Sequence, residues 1–301
     1  MAGLAQTSEP LAPARTPGIV PRLWGARGLL LTLVKRDIKV KYKESFLGFF
    51  WSFAKPLFQM VILAVVFTLF FRFRLTNPNI PYPLHLVVGL LPWVLLVNGL
   101  GDAMNSVVSN GNLIKKVKVE TEVFPLASIL SNTVHFAFSL MVLVVFLWWY
   151  GIGLGKPIVL LPVALAIQLT LMVGLALILA SLNVVFRDIV SIHETVMFGW
   201  LYATPIFYDY RLFEDFLAQH PGHDWARWLY ALNPMVGISV AYRRAFLYTG
   251  ERAREAGDQG LEMPDLHLFF HLLVSLAIAV TLLVIGVLLF RRLSRVFADR
   301  M

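Results

Sequence analysis

Long apolar runs separated by short polar segments set the pattern of this chain. Leu47–Phe71, Phe124–Tyr150, Ile158–Leu182 and Leu266–Phe290 each exceed the ~20 apolar residues that carry a helix across ~30 Å of hydrocarbon. Leu84–Gly101 is shorter and still adequate. Two later segments are ambiguous: Ile189–Phe207 has His193 and Glu194 near its start, and Trp228–Tyr242 is broken by Asn233-Pro234 and Gly237. Residues 1–28, rich in Pro, Ala and Gly, lack the apolar core of a signal peptide and read as a flexible inside N-terminus.

Parity decides between the ambiguous segments. With the N-terminus inside, the fourth span returns near Asn183, and Arg291, Arg292, Arg295 and Arg300 after the last span belong on the same side. Both conditions hold only if one ambiguous segment crosses. The longer Ile189–Phe207 is the better span, which leaves Trp228–Tyr242 as two short half-helices on the outside, dipping where protein shields their backbone. Gly250–Pro264 reads as a charged, flexible surface loop. The expected fold is an all-α membrane protein with six transmembrane helices over 46–290, a basic tail over 291–301 and both ends inside.

Composition fits a lipid solvent. Of 301 residues, 58% are apolar and only 15% charged, against the ~25% of a soluble domain, and 23 Phe with 8 Trp exceed what one soluble core would hide. The net charge of +8 would raise nucleic-acid binding in a soluble protein; here Lys and Arg gather in the inside segments, which points to membrane topology instead. The absence of Cys excludes disulfides, thiolate metal sites and Cys nucleophiles.

Three inside segments carry candidate contacts. Over 29–45, Leu30, Leu33, Val34 and Ile38 share one helical face, while Lys35, Lys39 and Lys43, with Arg36 beside them, share the opposite one. This reads as an amphipathic interface helix, although Lys41 falls on its apolar side; a solvated basic stretch is the alternative. Near 109–118, Asn112, Leu113, Ile114, Lys115 and Lys116 combine apolar knobs with a basic rim, suited either to docking in a partner's groove or to packing on the membrane surface. Arg187 and Asp188 at the next inside turn suit caps or ion pairs.

Lys35-Arg36-Asp37-Ile38-Lys39-Val40-Lys41-Tyr42-Lys43, Ser45-Phe46-Leu47-Gly48-Phe49-Phe50-Trp51 and Lys55-Pro56 resemble the start of the polysaccharide-exporting ABC permeases, the O-antigen, capsule and teichoic-acid exporters. Gly89-Leu90-Leu91-Pro92-Trp93, Asn112 to Val117, Phe124-Pro125-Leu126-Ala127-Ser128, Leu182 to Ile189, Thr204-Pro205-Ile206-Phe207-Tyr208 and Asn233-Pro234 continue the resemblance in family order over nearly the whole chain. One departure is Lys118-Val119-Glu120-Thr121-Glu122, where the family commonly has an aromatic-Pro-Arg-Glu run. The resemblance implies a type-2 permease in the bacterial cytoplasmic (inner) membrane, with a coupling helix near 109–118 and short periplasmic gate helices within 209–265. It also implies an ATP-driven partner: Asn112 to Lys116 with Arg187 and Asp188 would meet the ATPase, and spans one and five would line the channel.

A glycan path needs aromatic faces for pyranose C–H groups and few charges. The candidates are Trp51, Phe58 and Phe67 on span one and Trp200, Tyr202, Phe207 and Tyr208 on span five, against the alternative that such rings face lipid. The chain has no P-loop, and Gly151-Ile152-Gly153-Leu154-Gly155-Lys156-Pro157 lacks the hydroxyl that would bind magnesium, so no cofactor is expected on it and Mg-ATP belongs to a partner. Expected partners are two ATPase subunits, a second copy of the permease and a polysaccharide that a polyprenyl diphosphate could carry. A secondary transporter would need intramembrane carboxylates or His relays with repeat symmetry, and a membrane enzyme would need clustered carboxylates or His. The chain offers little of either: Lys55 is the lone charge well inside a span, and Asp102, His193 and Glu194 lie near span ends.

Overall fold

The computed structural model describes residues 24–42, 58, 61, 62, 65, 66, 80–117, 119–186, 188–223, 225–249 and 261–300. All secondary structure among them is helical. Span one falls almost wholly outside the described residues, with Lys43, Trp51 and Phe67; Phe58, Val61, Ile62, Val65 and Val66 are helical. Arg187 and residues 1–23 and 250–260 also lie outside.

The first helix, α1 (Arg27–Tyr42), is followed by α2 (Tyr82–Ser109), α3 (Gly111–Lys116), α4 (Val123–Trp149) and α5 (Leu160–Val185). Then come α6 (Ile189–Ala203), three short helices α7 (Tyr210–Gln219), α8 (Trp225–Ala231) and α9 (Pro234–Leu247), the long α10 (Asp265–Leu293) and a terminal turn α11 (Phe297–Arg300). The helices α2, α4, α5 and α10 are long and apolar enough to cross a membrane. Their ends follow local chemistry. Prolines flank the first turn of α2, where a missing N–H costs nothing, while α10 opens on Asp265 and closes on Arg291 and Arg292, each charge opposing the helix dipole.

The bundle is tightest where α5 crosses α10. A Cβ on Gly174 would lie 2.6 Å from the Leu283 backbone nitrogen, and one on Gly286 would strike the Gly174 carbonyl. Small residues here let the backbones touch, as lipid-embedded helices require in place of a hydrophobic driving force. Within the bundle α9 is buried along its whole length. Its start reaches inward, where the Ser275 hydroxyl donates to the Pro234 carbonyl (3.0 Å), and it runs back along α10 until Arg244 pairs with Asp265.

Two expectations change, on α6 and on the segment before α10. The segment Ile189–Phe207 is helical only to Ala203, about 22 Å of rise, because Pro205 cannot continue the ladder. The segment Trp228–Tyr242 does fall in two short helices, α8 and α9, parted at Asn233-Pro234; among the described residues α7 precedes them, and α9 is the most enclosed of the three. The end of the segment read as a surface loop is interior: Glu262 and Met263 are buried, the first by an ion pair and the second by packing in the main core.

Candidate functional site

Helix α1 packs on α4 with Leu33 buried and Leu30, Val34 and Ile38 half-buried, while Lys35, Arg36 and Lys39 remain exposed. Lys41, the residue out of place on the apolar face, donates to Asp102 Oδ2 of α2 (2.8 Å) and Asn132 Oδ1 of α4 (3.0 Å), and Asn132 Nδ2 donates to the same Asp102 oxygen (2.8 Å). The lysine is a bolt, not an exception to the pattern. Arg36 Nη1 donates to Asn110 Oδ1 (2.7 Å), at the junction of α2 and α3.

On α3, Leu113 and Ile114 are half-buried against a cluster containing Leu33, Phe124, Phe290 and Phe297. The groups that remain exposed are Asn112, Lys115, Lys116 and Val117. Helix α4 begins at Glu122, a buried carboxylate suited to the positive end of the dipole. Asp188 is exposed at the start of α6 and makes no side-chain cap bond.

At the opposite end, the chain after α6 runs without regular structure through Thr204–Tyr208, and side chains take several carbonyls around it. Asn233 Nδ2 donates to Ala203 O (3.0 Å), Arg243 Nη1 to Pro205 O (2.6 Å) and the Tyr82 hydroxyl to Phe207 O (2.6 Å). Asn233 also caps α9 by accepting from the Met235 N–H (3.1 Å) and accepts from Trp200 Nε1 (2.8 Å). The Thr204-Pro205 and Asn233-Pro234 motifs, far apart in sequence, therefore form one joint. Arg243, with no exposed surface, gives its remaining donors to Glu262 through Nε (2.8 Å) and Nη2. Burial pushes the Glu262 carboxyl up to about 7, against the pull of Arg243 and of the Tyr210 N–H, which donates to it (3.1 Å).

This joint fixes the path of the fifth segment. Asn183 Nδ2 donates to Met104 O (3.1 Å) near the end of α2, and Phe207 O accepts from Tyr82 at its start. The described residues from Asn183 to Phe207 are thus tied to α2 at both Met104 and Tyr82, and beyond α6 the Ala203, Pro205 and Phe207 carbonyls accept from side chains.

Aromatic rings line the same joint. Trp200 meets Trp93 edge-on (5.9 Å), Tyr202 lies between Phe198 (5.3 Å) and Phe207 (5.7 Å, stacked), and the Tyr208 and Tyr230 hydroxyls are 2.9 Å apart. Tyr230 stacks on Phe213 (4.2 Å) and neighbours Tyr210 (5.8 Å). Of the channel candidates, Trp200, Tyr202, Phe207 and Tyr208 thus gather around this joint in neighbouring ring groups, an array of pairs and triplets; Tyr202 is exposed and the other three half-buried. Phe58, on span one, is exposed. Sequence reasoning missed Tyr210, Phe213 and Tyr230 in the array and Arg243 with Glu262 behind it. The available signal was a pair of arginines, Arg243 and Arg244, inside an otherwise apolar helix. The described residues hold no cluster of three or more potential metal ligands.

The chain is similar to the O-antigen export system permease protein RfbA of Myxococcus xanthus, 34% identical over 76% of this chain and 84% of the relative. It is also similar to a Klebsiella pneumoniae protein of the same name, 30% identical over 73% of this chain and 80% of the relative. Residues 28–247, from α1 to the end of α9, match the ABC-2 type transporter family. The bundle of apolar helices, its satisfied break after α6 and this match together place the chain in that family, as a transporter's membrane subunit.

Proposed function

We propose that this chain is the permease of an ATP-driven exporter that moves an O-antigen-like polysaccharide across the bacterial inner membrane. The relatives named as O-antigen export permeases support the cargo class. The aromatic array at the end of α6 is the observation in this chain that carries the reading, because ring faces hold sugar C–H surfaces while permitting them to slide. In this reading the chain crosses six times with both ends in the cytoplasm, α7 to α9 form the outer gate, and two copies about a two-fold axis enclose the path. ATP hydrolysis belongs to two partner subunits, which hold the Mg-ATP, and the glycan travels on a polyprenyl diphosphate. The exposed groups of α3, Asn112, Lys115 and Lys116, meet the ATPase, and Arg187 and Asp188 contribute to the same docking; Leu113 and Ile114 anchor α3 to the bundle from behind.

Polysaccharide reaching the cell surface is the test. Tyr202→Ala with Phe207→Ala lowers it several-fold while permease abundance and ATPase activity of the complex persist, since each lost stacking partner removes about 1 kcal/mol. Unchanged export in that variant overturns the aromatic path. Lys115→Glu with Lys116→Glu releases the ATPase during purification and leaves the permease intact; a complex that survives the change puts the docking surface elsewhere.

A further inference from the structure

A polar cleft of about 270 Å³ opens between α1 and the adjoining parts of α2 and α4. Its charged lining is balanced: Arg36 and Lys41 stand with Asp37 and Asp102. The two carboxylates are engaged on one side only. Asp37 Oδ1 accepts both bonds from Arg36 (3.0 and 2.8 Å), and Asp102 Oδ2 accepts both from Lys41 and Asn132 (2.8 Å each), so among the described residues neither Oδ2 of Asp37 nor Oδ1 of Asp102 takes part. Lys41 spends two of its three protons on Asp102 and Asn132. Ser131, 1% exposed, also lines the cleft, and its hydroxyl has no hydrogen-bond partner among the described residues. A buried hydroxyl without a partner is costly unless something else completes it.

The depth of the cleft says what that is. The apolar run of α2 ends at Gly101, about 27 Å along a helix from Leu84, so Asp102 and the residues after it stand at the level of lipid headgroups. We propose that the cleft seats the headgroup of a zwitterionic aminophospholipid, its phosphate toward Lys41, Arg36 and Ser131 and its ammonium toward the open oxygens of Asp37 and Asp102. The volume admits a headgroup and not a sugar polymer, being just below the about 300–1,000 Å³ of drug-sized pockets. A diphosphate brings negative charge to a site with two carboxylates and no net positive charge. A quaternary choline lacks the N–H donors those oxygens would accept. The inference stands apart from the cargo proposed above.

Native mass spectrometry of the purified full-length permease in equimolar phosphatidylethanolamine, phosphatidylcholine and phosphatidylglycerol tests it. Phosphatidylethanolamine is retained about five-fold over either rival, the scale of a partly exposed ion pair. Asp37→Asn leaves the cleft with a net positive charge and moves the preference to phosphatidylglycerol, whereas Ser131→Ala lowers retention of all three with thermal stability unchanged. Equal retention of the three lipids by the unaltered protein overturns the proposal, as does its preference for phosphatidylglycerol. So does displacement of phosphatidylethanolamine by an equimolar prenyl diphosphate.

Discussion

The two ends of the bundle use ion pairs in opposite ways. At the α1 end the side chains of Lys41 and Asp102 are 38% and 44% exposed, and water screens what they contribute. At the end carrying α7 to α9, Arg243 and Glu262 are 0% and 1% exposed, and Arg243 also satisfies a carbonyl that no helix can satisfy. The first pair aligns two elements that would still be folded without it. The second makes an irregular turn tolerable inside apolar surroundings.

Removing one charge from the dry pair has the largest expected effect. Arg243→Met leaves Glu262 buried without its cation and Pro205 O without its donor, a loss of about 3–5 kcal/mol seen as early thermal unfolding of the purified permease. Arg243→Met with Glu262→Leu loses less than the single change, because no uncompensated charge remains; a double variant as unstable as the sum of its parts would sink this account. The α5–α10 crossing links the two ends, and Gly174→Ala there costs about 1–3 kcal/mol, since the new Cβ meets backbone that must move. Asn233→Ala removes the α9 cap and a bond to Ala203 O, and costs about 1–2 kcal/mol by the same unfolding measurement. At the wet end Lys41→Ala costs under about 1 kcal/mol, and the difference from the unaltered protein shrinks further in high salt. A Lys41 effect that matched Arg243 and ignored salt would erase the contrast between the ends.

Sequence pattern located α4 and α10 to within a residue or a turn because uninterrupted apolar length is their only requirement. It also marked Lys41 as anomalous without supplying its partner, since Asp102 and Asn132 come from helices that nothing local ties to α1. The end of α6 was legible in principle, as Pro205 stands inside the span, yet apolar length outweighed it. The interior position of Glu262 was not legible: its charge and its neighbourhood resemble a surface loop, and its partners, Arg243 19 residues earlier and the Tyr210 N–H, come from other elements. The aromatic array was half read. Span five announces its own rings, whereas Tyr210, Phe213 and Tyr230 join through short helices whose packing no periodicity specifies.

The burial of α9 also constrains the order in which the protein can be made. This helix of 14 residues is too short to span and carries Arg243 and Arg244, each costing about 2.5–3.5 kcal/mol at the centre of a helix entering lipid by itself. Their acidic partners emerge from the ribosome 19 and 21 residues later, at and just before the start of α10. In the proposed topology a nascent chain halted before Glu262 therefore holds α9 in water, and insertion of α9 waits on α10, so that α9 and α10 enter the bilayer as a pair.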